Sequence, residues 1–186
     1  MFFTIRRLIA LALAAALWAL PAIAQKGLIY SATVIPSIAV SGGSVNVQIQ
    51  IVSFTTDAEK TSLKEVFASG GSDKGVNLLR TLSHGYINIA GQPGRKIYAA
   101  FSFDNPDGRR LVLVTEHVLS EYEKTQGANA TDYPLTIIRM KFDPSGRAVS
   151  GEVIPAAKIT VTKDGFVDMA TQYPTTATMI NISRVN

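Results

Sequence analysis

The chain contains no cysteine. That excludes a disulfide framework, a thiol nucleophile and a thiolate metal site, and it removes the residue a lipid anchor at a leader cleavage site requires. Histidine is almost as scarce: with only His84 and His117, any histidine-based chemistry must use those two. Nucleotide-binding signatures are missing as well. Ser41-Gly42-Gly43-Ser44 and Ser69-Gly70-Gly71-Ser72 are glycine-rich, yet neither runs into the Gly-Lys-Ser/Thr that sets a lysine on a phosphate, and neither GxGxxG nor GxSxG occurs. No cofactor is expected on these grounds. No Lys/Arg cluster occurs after the first 24 residues, where Arg109-Arg110 is the densest basic pair, so nucleic acid is not an expected partner.

Long apolar runs are absent with one exception, Leu8 to Leu20, which follows the basic start Ile5-Arg6-Arg7 and precedes Pro21-Ala22-Ile23-Ala24. A basic start, an apolar stretch of this length and small residues in an A-x-A arrangement predict a signal peptide over residues 1–24. The run is too short for a comfortable membrane span. Removing 24 of 186 residues leaves 162, one ordinary domain over residues 25–186, expected in the periplasm or outside the cell with no stable membrane span. Arg6 and Arg7 leave with the leader, so 16 basic residues face 14 acidic ones and the net charge falls to +2. A domain of this size without disulfides must be held by a hydrophobic core.

What is present is period-two alternation. Val45, Val47, Ile49 and Ile51 face one way while Asn46, Gln48 and Gln50 face the other, as in a half-buried strand. Further strands are predicted over Leu28 to Ile35, Tyr86 to Ala90, Lys96 to Phe103, Arg109 to Thr115, Pro134 to Phe142, Arg147 to Ile154, Lys158 to Thr162, Phe166 to Met169 and Thr175 to Ile182. Turn chemistry separates them, with Asn105-Pro106-Asp107-Gly108 and Asp143-Pro144-Ser145-Gly146 the clearest cases. Arg109 to Thr115 is apolar on both faces, which predicts a central strand. Between the second and third strands the period changes to that of a helix. Thr56 and Glu59 match a capping box, Leu63, Val66 and Phe67 share a face, Gly70-Gly71 reads as a stop, and Asp73 can cap a second short piece carrying Val76, Leu79 and Leu82. The predicted class is α+β, dominated by antiparallel β: a barrel-like or sandwich sheet of about 8 to 10 strands with a short helix pair after the second strand.

Candidate sites are few. If the stretch around Glu116-His117 is helical, His117 and Glu121 lie one turn apart, and with Glu116 or His84 they form the sparse ligand set of a catalytic zinc or the acid-base pair of a hydrolase. The competing reading leaves both histidines as exposed or hydrogen-bonded strand-end residues, and it is the one favoured, so no metal is expected. Tyr86, Tyr98 and Tyr133 are candidates to line a mouth where an amphipathic ligand enters, against ordinary edge packing. Lys64-Glu65-Val66-Phe67, His84-Gly85-Tyr86-Ile87, Gly108-Arg109-Arg110 with the strand after it, and Thr131-Asp132-Tyr133-Pro134-Leu135-Thr136 together resemble a family of exported bacterial β-rich proteins. The resemblance implies export and a single β-rich domain; it carries over no catalytic residue. The leading expectation is a binding or interaction module for a small amphipathic ligand or an envelope protein, with a hydrolase or metalloenzyme at His84 and His117 as the alternative.

Overall fold

The alternating segments pair into one antiparallel sheet of nine strands. The computed structural model describes residues 27–35, 43–117, 132–161, 167–172 and 176–185. The strands are β1 (Leu28–Ile35), β2 (Val45–Ile51), β3 (Gly85–Ile89), β4 (Arg95–Asn105), β5 (Gly108–Glu116), β6 (Leu135–Phe142), β7 (Ala148–Val161), β8 (Val167–Thr171) and β9 (Ala177–Arg184). β1 to β7 follow one another as a meander, and β9, paired with both β7 and β1, closes an eight-stranded barrel. β8 hangs on the far half of β7, outside that ring. A closed barrel leaves no bare edge among its own strands. The expected leader over residues 1–24 and the stretch 118–131, which includes Glu121, lie outside the described residues.

Two strands depart from the expected pattern. Separate strands were expected over Arg147 to Ile154 and Lys158 to Thr162, yet β7 runs through the break between them, across Pro155, as one 14-residue strand. The break became a bulge: Leu135 pairs with Ala157 but Ile137 with Ile154, so β7 carries one extra residue there, and Ala156 takes φ 51° to absorb it. β4 carries a similar irregularity at Tyr98, between Ile97 paired with Thr115 and Ala99 paired with Val114. It makes Tyr98 and Ala99 both face outward while Ile97 and Ala100 face the barrel interior. The predicted turn at Asn105 to Gly108 is a two-residue hairpin, and Gly108, at φ 117°, has no room for a Cβ, which would sit 2.0 Å from the Phe142 carbonyl oxygen.

The expected helix pair is replaced by one kinked helix, α1 (Asp57–Thr81). Its start is as predicted: the Thr56 hydroxyl accepts from the Glu59 N–H while the Glu59 carboxylate accepts from the Thr56 N–H at 2.7 Å. The predicted stop became the kink. Gly71 leaves helical geometry alone, with φ 76°, and the helix resumes at once with no connecting residues. In a straight helix Phe67 and Gly75 would lie about 12 Å apart along the axis. Here the Phe67 ring lies against the Gly75 backbone, so close that a Cβ there would meet it at 2.4 Å. The missing side chain at Gly75 is what allows the two halves of the helix to fold together.

Alternation divides the apolar residues into two cores. Ile49, Ile51, Ile97, Leu111, Leu113 and Met140 are at most 2% exposed inside the barrel. Outside it, Leu63, Phe67, Val76 and Leu79 of α1 cover Tyr98, Val114, Leu135 and Ile154. β5 serves both, with Leu111 and Leu113 facing in and Val112 and Val114 facing out, which explains its doubly apolar sequence. Each such side chain contributes about 1.5–3 kcal/mol by leaving water.

Candidate functional site

An eight-stranded barrel is just wide enough to be filled by its own side chains or to hold one small ligand. This one is filled at one end and hollow at the other. Where β1 begins and β6 ends, Tyr30, Ile51, Leu111 and Phe142 fill the interior, and the Tyr30 and Phe142 rings stand 5.4 Å apart. Where β1 ends and β6 begins, the inward positions carry shorter or sparser side chains: Val34, Val45 and Val47 from β1 and β2, Ile87 and Ile89 from β3. Ile138, Val153 and Met179 complete the wall from β6, β7 and β9. They surround a cavity of about 210 Å³.

Four polar residues rim that cavity: Gln92, Arg95, Thr115 and Thr136. Thr115 donates its hydroxyl to the Lys96 carbonyl at 2.8 Å. Arg95 points inward because it shares the parity of Ile97 at the start of β4, pairing with Ile87 of β3. Its Nη2 donates to the Gln92 side-chain oxygen at 2.7 Å. Partial burial pulls the guanidinium below its ordinary pKa, opposed by the Glu116 carboxylate, but an arginine stays charged under such a shift. Glu116 itself is committed outside the barrel, 3.6 Å from Arg80. Among the described residues Arg95 is the only charged side chain lining the cavity.

The residues singled out in the sequence are placed elsewhere. His117 lines an outer groove of about 330 Å³ between the second half of α1 and the end of β5, with Asp73, Asn77, Arg80, Glu116 and Pro134. Tyr98 lies beneath that groove; burial, then the adjacent Glu116 carboxylate, pushes its phenol up, while Arg80 opposes the shift. His84 is buried at the foot of α1. Its Nδ1 is 3.0 Å from the Ser53 hydroxyl and its Nε2 is 3.5 Å from the Glu59 carboxylate. Its backbone ties three elements together, donating to Ile97 and accepting from Val52 and Ser53. Tyr86 is outward and about half exposed, Tyr133 is half-buried ahead of Pro134, and none of the three tyrosines lines the barrel cavity. Among the described residues no three His, Asp or Glu side chains gather to hold a metal ion.

Two features escaped the sequence reading. The alternation Arg95, Ile97 carried a signal for the first, since it marks an arginine on an interior face. The Ser53–His84–Glu59 contact carried none, because its members come from a strand exit, a helix cap and a strand entry that only the closed fold brings together. Comparisons with protein families, with curated proteins and with solved structures each gave no match. Function is therefore argued from the site itself.

Proposed function

We propose that this is an exported binding protein that holds a small apolar or amphipathic molecule in the open end of its barrel. The observation that carries the reading is the cavity of about 210 Å³ walled by aliphatic side chains inside a barrel whose other end is tightly filled. An apolar cavity of about 150 Å³ is enough to take up a benzene ring, so a molecule of that size or slightly larger is buried here. A longer ligand inserts only its end. Export rests on the leader-like residues 1–24 and, with it, an envelope or extracellular ligand.

The test is a titration of the folded domain with 1-hexanol, followed by the methyl resonances of Ile87, Ile89, Ile138, Val153 and Met179. Saturable shifts confined to these methyls, abolished in Val153→Phe, are the expected result. Shifts spread over surface methyls, or unchanged by Val153→Phe, contradict it.

One observation favours a second, hydrolytic reading: the His84 ring has the Ser53 hydroxyl 3.0 Å from one nitrogen and the Glu59 carboxylate 3.5 Å from the other, the order of nucleophile, base and orienting acid. The barrel reading is preferred because neither the barrel cavity nor the outer groove is lined by Ser53 or His84. Glu59 is also already engaged in capping α1. Labelling of Ser53 by a fluorophosphonate, lost in Ser53→Ala, would reverse that preference.

A further inference from the structure

We propose that Arg95 receives the head group of the ligand, and that the ligand class is therefore a small monoanionic amphiphile, a carboxylate carrying an apolar tail of about six carbons. This rests on the barrel cavity being the binding site and names what it selects.

Three observations carry it. First, the strand register turns Arg95 into the barrel, at the rim of a wall otherwise made of aliphatic and neutral polar side chains. Second, its one hydrogen bond to a described side chain goes to the neutral Gln92 amide, and among the described residues no carboxylate is within ion-pair distance of it. The nearest acidic influence, Glu116, is shared with Arg80 on the outer face. A partly desolvated guanidinium facing an apolar cavity, with no ion-pair partner among the described residues, is stabilised by an anion that brings its own apolar tail. Third, the planar fork of arginine matches a carboxylate in two parallel hydrogen bonds, and Thr136 at the same rim can contribute a further donor. The cavity volume limits the tail: one that accepts slightly more than a benzene ring accepts a short chain, not a full-length acyl chain.

The experiment compares hexanoate, 1-hexanol and acetate by isothermal titration against the wild-type protein and Arg95→Gln. A hydrogen bond to a charged group supports a preference of about tenfold or more, so hexanoate is expected to bind the wild type at least that much more tightly than hexanol, and acetate not measurably. Arg95→Gln is expected to remove the preference, hexanoate then binding no more tightly than hexanol, and the variant's dispersed methyl spectrum shows that it is folded. Should that variant not fold, the wild type still decides: hexanoate affinity falls as salt rises and hexanol affinity does not. Equal binding of hexanol and hexanoate, or salt-independent hexanoate binding, overturns the head-group assignment and leaves the cavity reading standing. Absence of binding by both six-carbon probes overturns the cavity reading and this assignment with it.

Discussion

The two ends of the barrel are built from the same eight strands and the same alternation, yet one is a core and the other a cavity. At the filled end Tyr30, Leu111, Met140 and Phe142 meet across the interior, and two of the four are aromatic. At the open end the wall is valine, isoleucine and methionine, with one arginine at the rim. The difference is side-chain reach, not polarity: β-branched residues satisfy the inward face of each strand without spanning the barrel. A barrel of this size can therefore be stabilised at one end and hollow at the other without any change of fold.

That contrast is most sharply broken by truncation. Leu111→Ala at the filled end is expected to cost about 2–5 kcal/mol in urea unfolding, because the closely packed neighbours cannot collapse into the space. Val45→Ala at the open end, beside space that is already empty, is expected to cost about 1 kcal/mol or less. Equal losses would show that the open end is packed too. Adding volume gives the reverse. Val153→Phe fills the cavity and is expected to raise stability by about 0.5–1 kcal/mol while abolishing hexanol binding, whereas an added ring at the filled end has nowhere to go.

The ends also differ in how they respond to pH. Burial raises the Tyr30 phenol above its ordinary value, opposed by Arg109 and Arg184. Below the pKa of the unfolded chain, near 10, both states keep the proton and the full stability is present; as pH climbs past it, the unfolded chain ionises first and stability falls until the folded phenol follows. Tyr30→Phe should flatten that alkaline slope; among the described residues no tyrosine lines the cavity at the open end. The smallest effect lies in the turn after β6. There Asp143 accepts from the Ser145 hydroxyl at 2.6 Å and from the Arg147 N–H at 3.0 Å, and these bonds hold its carboxyl down to about 2. The stability it contributes is present above its unfolded value of 3.8 and is lost as pH drops towards 2. A carboxyl carbon titration placing its midpoint near 4 would contradict the turn geometry.

Most of the fold was legible because alternation and turn residues are local signals. The strand around Val45 to Ile51, the capping box at Thr56 and Glu59 and the hairpin at Pro106-Asp107 all appear where the sequence places them. Where the prediction departs, a local breaker was overruled by tertiary packing: Pro155 was absorbed by the bulge at Ala156, and Gly71 made a kink because Phe67 and Gly75 hold the halves of α1 together. Closure was not legible, since the β9–β1 and β9–β7 pairings join segments distant in the chain without any shared local pattern. The site was less legible than the fold. His84, His117 and the tyrosines drew notice through their chemistry, whereas the cavity is made by what its valines fail to reach, and a space has no residue to announce it.

A crystal of the domain pressurised with xenon tests the central claim most directly, because xenon enters apolar space without needing a head group. A single strong xenon site bounded by Ile87, Ile138, Val153 and Met179, with the filled end empty of it, is the expected result. An open end closed over by its own side chains, with xenon elsewhere or nowhere, would contradict the account.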